Sequence, residues 1–315
     1  MSLPARPPMP DSGSRRALTA AFLSLIPICA ASPGAGQEWH DFRSARQVGD
    51  VEGLDVHLLY AGGTLQVSPA EPALLYDARL LYDAARSAPD RNWRRDGDTG
   101  RLRFGTTLLP ERRDEVEAAA RLDEWDLEFD LADLDRGLDQ GGRLAFSVNP
   151  SVPTTLRVGV GAGRARLELG GMTLTAFEFL TGAGDVRLGF ARENRVPMEL
   201  LSMKSGATGF VAENLGNARF ERLEFDGVVG DVVLDFSGAW RSSAEAEVRM
   251  ALGELVMRVP SEIGVRVRRR GLASLAAEDF RQVGDAYLSP NWESARVRLE
   301  ITLVAGLGSV TVERG

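Results

Sequence analysis

The chain is poor in the side chains that carry most enzyme chemistry. Among 315 residues it has one cysteine (Cys29), two histidines (His40 and His57) and a single lysine (Lys204). One cysteine excludes an internal disulfide and a thiolate zinc site, both of which need more than one sulfur. Neither histidine has a partner at HxxxH spacing, so a zinc-binding helix of that type is excluded. His57 lies in an alternating segment and reads as a surface residue. There is no GxSxG nucleophile elbow and no GK[ST] phosphate loop. Positive charge comes almost wholly from arginine, and the net charge of −8 with a pI near 5.1 argues against a nucleic-acid partner.

Long apolar runs are also scarce. The one that stands out is "ALTAAFLSLIPICAAS", residues 17–32, which Pro27 interrupts and which is short for a membrane span. It follows Arg15 and Arg16 and precedes small residues, the pattern of a secretory signal cleaved after Ala31 or between Ala35 and Gln37. Residues 1–37 are therefore expected to be signal and linker, and the mature protein to be exported to the periplasm or envelope. Cys29 lies inside the signal. Ile28 stands where a lipoprotein box needs a small residue, so a lipid anchor on Cys29 is not expected.

What is present is a folded-protein composition, 44% apolar and 26% charged, with 34 glycines. "DVHLLYAGGTLQV" (55–67) reads as strand, tight turn, strand, and "ALLYDARLLYDA" as another strand. "DRNWRRDGDTG" (90–100) reads as a polar loop before the strand "RLRF". Residues 111–121 have helical composition and read equally as a charged loop between strands. Trp125, Leu127, Phe129 and Leu131 alternate with carboxylates as in a strand. These observations define an N-terminal β region, 38–142, and a more regular region, 143–315.

The regular region repeats. Gly-x-apolar-x-apolar occurs as "GTLQV" at 63, "GRARL" at 163, "GDVRL" at 184, "GDVVL" at 230, "GELVM" at 253 and "GSVTV" at 308, with a weaker copy, "GFVA", at Gly209. From Gly163 the gaps are 21, 25, 21, 23 and 55 residues, and "GVRVR" at 264 falls within the last. A period of 20–25 residues marks a solenoid, each unit stacking on the one before. Alternation then places Leu65, Ala165, Val186, Phe210, Val232, Leu255 and Val310 in one inward column. Val67, Leu167, Leu188, Ala212, Leu234, Met257 and Val312 form the next, while Gln66, Arg187, Val233 and Thr311 face water. The fold class is all-β, a β-solenoid of short strands. "TGAGDVRLGF" (181–190) belongs to it: Gly182 and Gly184 lead into a strand, where a phosphate-cradling glycine loop must lead into a helix.

The run "LRVGVGAGRARLELGGMTLTAFEFLTGAGDVRLGF", with "LGNARFERLEFDGVVGDVVLDFSG" and "LEITLVAGLGSVTV", resembles the toast-rack and LiaF-like group of bacterial envelope proteins, which is related to bacterial adhesins. "VHLLYAGGTLQVSP" with "LLYDARLLYD" resembles the start of a toast-rack N-terminal region. The resemblance covers roughly 50–315. It implies a stacked β-solenoid in the cell envelope and brings no catalytic motif.

The remaining candidates for chemistry are carboxylates. Asp185, Asp231 and Glu254 share one outward position in three repeats and could stack into an acidic ladder for Ca²⁺ or for glycoside cleavage. Arg164 occupies the same position, and the GGxGxDxUx calcium repeat is absent, so a solvated charged face is the expected reading. Tyr287 and Trp292 are expected to cap the stack. No catalytic, cofactor-binding or metal residues are assigned and no cofactor is expected. The expected protein is a non-catalytic, adhesin-like module of the envelope with an envelope or membrane protein as partner. The alternatives are a LiaF-like sensor of envelope stress and a β-helix enzyme on polysaccharide.

Overall fold

The computed structural model describes residues 37–108 and 142–315. The expected signal, Cys29, the helical stretch at 111–121 and the alternation at 125–131 lie outside the described residues. Sixteen strands make up the fold. The first five are β1 (Trp39–Gln47), β2 (Gly53–Pro69), β3 (Leu74–Asp83), β4 (Ser87–Asp96) and β5 (Thr99–Leu108). They are followed by β6 (Arg143–Val148), β7 (Thr154–Glu168), β8 (Leu174–Gly189), β9 (Met198–Glu213), β10 (Phe220–Asp235) and β11 (Ala244–Val259). The last are β12 (Gly264–Gly271), β13 (Ser274–Ala276), β14 (Arg281–Val283), β15 (Ala286–Leu288) and β16 (Arg298–Arg314). These sixteen strands of the described residues form one sheet whose main path runs β1-β3-β6-β2-β7-β8-β9-β10-β11-β16-β12-β15-β14, with β5 paired on β2, β4 on β5 and β13 on β16. β2 pairs with β5 and β6 on one side and with β7 on the other, so the sheet is continuous across residues 142 and 143.

From β2 to β16 the long strands are parallel, and each is one rung. The expected strand–turn–strand over 55–67 is a single strand, and the other rungs are also unbroken strands of 15 to 17 residues in place of short pieces. The reason is the corner glycine. Gly184 at φ +123° and Gly253 at φ +133° turn the backbone in a region that L side chains rarely adopt, without breaking the ladder. A Cβ on Gly184 would overlap the carbonyl oxygen of Gly163, and one on Gly253 that of Gly230. Each corner is thus stacked on the last with backbone against backbone.

Both inward columns lie as expected. Leu65, Ala165, Val186, Phe210, Val232, Leu255 and Val310 are paired rung to rung and buried, as are Val67, Leu167, Leu188, Ala212, Leu234, Met257 and Val312. One assignment shifts. Gly209 is not a corner: Gly184 pairs with Thr208, and Gly209 pairs with Asp185. Thr208 turns this corner instead, its buried hydroxyl hydrogen-bonded to Ser205.

Stacking also departs from chain order. β16 lies between β11 and β12, parallel to both, so the last strand of the chain is an interior rung. The "GVRVR" segment forms β12, outside it. The loop expected over 90–100 is largely β4, an edge strand paired antiparallel with β5. Its charges are held by ion pairs of Arg103 with Asp90 at 2.7 Å and Arg101 with Asp96 at 2.9 Å. Such polar edges keep a sheet from pairing onward.

The returning loops are closed by asparagines that sequence periodicity did not reveal. Asn194 is fully buried: its Oδ1 accepts from the Leu174 amide, and its Nδ2 donates to the Leu174 and Val196 carbonyls. Asn149, Asn217 and Asn291 do similar work on Leu74, Phe190 and Ile263. The two ends of the core are covered by aromatics. Phe42, Tyr76, Phe104 and Phe146 pack together with centroids about 6 Å apart at the β1 end. Trp292 is buried at the other, under the guanidiniums of Arg266 and Arg298, and Tyr287 packs against the core beside it.

Leu234→Asp puts an unpaired carboxylate between two rungs, which costs several kcal/mol. Val233→Asp, one residue along on the outward side, is expected to leave the thermal midpoint nearly unchanged. Equal losses for the two variants in thermal melts contradict the register.

Candidate functional site

Because each rung repeats the same path, residues six positions before the corner fall into one outward column. That column runs Arg103, His57, Arg157, Glu178, Ser202, Glu224, Glu247 and Thr302 across consecutive strands. At its β2–β8 end the charges converge. Arg157 donates from Nη1 to Asp55 Oδ1 at 2.8 Å and from Nε to Glu178 Oε1 at 2.9 Å. His57 Nε2 lies 2.8 Å from the same Nη1 and 3.4 Å from Asp55 Oδ1. Three strands therefore contribute to one network that is three-quarters shielded at Arg157.

His57 faces outward, as expected, but it is part of this network and not an isolated surface residue. Beside it, β2, β4 and β5 form an open cleft of about 280 Å³ lined by Asp55, His57, Asn92, Arg94, Arg101, Leu102 and Arg103. Asp55, one of the lining residues, is partly shielded. A hydrogen bond from His57 does most to hold its carboxyl below the usual carboxylate range. Partial burial opposes this, and the charges of Arg157, His57 and Arg101 add to it. The chemistry these groups offer is charge and hydrogen-bond recognition, with the guanidiniums of Arg94, Arg101 and Arg103 lining the same cleft as the Asp55 carboxylate. A second perturbed group, Tyr60, is buried behind the sheet, where desolvation pushes its phenol well above the usual range against the opposing charge of Arg143.

The acidic ladder is only partly assembled. Asp231 pairs with Glu254, but Gly209 separates Asp185 from Asp231. Asp185 instead approaches Arg164 at 3.8 Å, with both side chains at least three-quarters exposed, where an ion pair contributes little. Among the described residues no three His, Cys, Asp or Glu side chains are arranged to hold a metal. His40 lies apart on β1, 2.9 Å from Glu38.

The network has a pH signature. A carboxyl held low in the folded state stabilises the fold above the unfolded value, about 3.9, and that contribution is lost as pH falls through the folded value. Asp55→Asn is expected to lower stability at pH 7 by up to about 1 kcal/mol, given its partial exposure. The gap from wild type should close in melts near pH 2–3. A gap of constant size from pH 7 to pH 2 contradicts the assignment.

The family model described as the N-terminal domain of toast_rack matches residues 138–206. The match runs from β6 into β9, downstream of the β2–β3 stretch that resembles the start of such a domain. Solved structures similar to the chain include a cell-adhesion candidate from Clostridium sporogenes, with 15% identity, a TM-score of 0.44, and 88% of this chain and 100% of that chain covered. An adhesin candidate from Bacteroides fragilis shows 10% identity and a TM-score of 0.34 over 89% and 98%. A lipid-binding candidate from Parabacteroides distasonis shows 8% and 0.25 over 86% and 96%. No curated protein matches the sequence.

Proposed function

We propose that this chain, whose residues 138–206 match the N-terminal domain of toast_rack, is a non-catalytic interaction module of the bacterial cell envelope, adhesin-like in the way it presents a stiff surface. The observation that carries this reading is the division of labour along each rung. Inward positions are spent on stacking, and outward positions form straight columns of charged and polar groups on a rigid backing. Such a surface suits contact with a partner, and the Arg157 network with its neighbouring cleft is its most organised part. The partner in this reading is an envelope or membrane protein whose contact face carries a carboxylate for Arg94, beside Arg101 and Arg103, which Asp96 and Asp90 already engage.

The signal-like segment at 15–32 supports export. Among the described residues no helix is long and apolar enough to cross a membrane. The polysaccharide-enzyme alternative needs two carboxylates facing a sugar, one of them kept protonated as an acid. The broken acidic column gives it no specific support.

The reading is tested by fractionation and chemistry together. The protein is expected in the envelope fraction with a mature N-terminus between residues 32 and 38. It is also expected to leave envelope polysaccharides uncleaved. Full-length protein confined to the cytoplasm contradicts the first part. Cleavage that disappears in an Asp185→Asn, Asp231→Asn, Glu254→Gln triple variant contradicts the second.

A further inference from the structure

The corners carry a gradient that stacking does not require. Their three residues read Ala61-Gly62-Gly63 on β2, Gly161-Ala162-Gly163 on β7, Gly182-Ala183-Gly184 on β8 and Gly206-Ala207-Thr208 on β9. On β10, β11 and β16 they read Val228-Val229-Gly230, Ala251-Leu252-Gly253 and Gly306-Leu307-Gly308. The middle residue is small in the first four rungs, and Ala162 and Ala183 are buried. In the last three it is large and exposed: Val229 at 43%, Leu252 at 46% and Leu307 at 62%. Val229, Leu252 and Leu307 are direct register partners. Leu272, 85% exposed, follows β12 and donates its amide to the Ala305 carbonyl, which brings it to the same edge. The result is an apolar ridge across four adjacent rungs, about 14 Å long at the usual strand spacing, with Val228 beside it.

Alanine turns the same corner in β7 and β8, so the leucines serve something outside the fold. Five side chains along one edge offer well under the roughly 800 Å² per partner that a stable protein dimer buries. The ridge end is basic: Arg268 and Arg270 alternate with Leu272 on the outward side of β12, are exposed, and enter no ion pair among the described residues. Asp285 is the carboxylate beside these arginines, since its carbonyl accepts from the Arg269 amide, and Arg268, Arg269 and Arg270 outnumber it there. Glu254 and Asp231 lie past the corner, and Asp226 is engaged by Arg249 at 3.1 Å. Protruding leucines beside exposed arginines match the interface of an anionic lipid bilayer. Apolar side chains enter the headgroup boundary there and cations meet the lipid charge.

We propose that the ridge Val229–Leu252–Leu307–Leu272, with Arg268 and Arg270, docks the C-terminal end of the stack onto an anionic lipid surface. This goes beyond the envelope reading and stands apart from it: an exported protein that ignores lipid leaves that reading intact, and a cytoplasmic protein that binds lipid does not rescue it. The test is co-sedimentation of the purified protein at 0.15 M salt with vesicles of phosphatidylglycerol and phosphatidylcholine in equal parts, against phosphatidylcholine alone. Wild type is expected to pellet with the anionic vesicles and to remain largely in solution with the neutral ones. Leu252→Ala with Leu307→Ala copies the corners of β7 and β8, so the fold is retained, and binding should fall about ten-fold. Arg268→Gln with Arg270→Gln on the surface of β12 should lower it about ten-fold as well. Failure of wild type to pellet with anionic vesicles overturns the proposal, and so does undiminished binding by both double variants. A concentration-dependent dimer in sedimentation velocity that the two leucine substitutions abolish also overturns it, assigning the ridge to a second copy of the chain.

Discussion

Everything in this structure depends on one backbone contact repeated up the stack. At every corner of the long rungs except that of β9, where Thr208 stands, the carbonyl oxygen of one rung occupies the space that a Cβ of the next corner residue would need. Only glycine fits that space at a positive φ, and so the corners of β7, β8, β10, β11 and β16 are glycine. The contact aligns the rungs laterally. Once the corners are aligned, every position before and after them is aligned too, and apolar residues at alternate positions become continuous inward columns. Burial of those columns is the main favourable contribution to folding, and the glycine contact determines which residues share in it.

The same alignment creates the outer surface. A position six residues before each corner gives the column through His57, Arg157 and Glu178, and one residue before each corner gives the ridge through Val229, Leu252 and Leu307. Neither exists in any single segment of chain. A stack built this way has two open ends, and both are closed by residues outside the repeat: the aromatic cluster of β1, β3, β5 and β6, and Trp292 with its two arginines. The insertion of β16 between β11 and β12 makes it an interior rung, paired along both of its edges.

Much of this was legible in the sequence because strand alternation and the glycine period are local signals. The inward columns could be written down from the motif alone. The Phe210 column holds although Gly209 does not take the corner, since Thr208 stands two residues before Phe210 just as Gly184 stands two before Val186. The Arg157 network was within reach by the same arithmetic: His57 and Arg157 each stand six residues before their glycines, at 63 and 163. It was missed because charged outward residues read as solvated one at a time. Other features leave no periodic trace. β16 entering ahead of β12 is a choice of partner among equally good strands. The Asn194 bonds are made by a loop of irregular length. β4 looks like a loop because edge strands are polar by design. Function was the least legible, since a surface assembled from many rungs has no linear motif.

The account turns on the corner contact, and a single substitution tests it directly. Gly253→Ala adds one methyl group, at φ +133° and against the Gly230 carbonyl. Equilibrium denaturant unfolding is expected to show a loss of about 3 kcal/mol, combining backbone strain with the displaced contact. A change within about 0.5 kcal/mol of wild type, the range of an ordinary surface substitution, would contradict the claim that stacked glycine corners set the register of the fold.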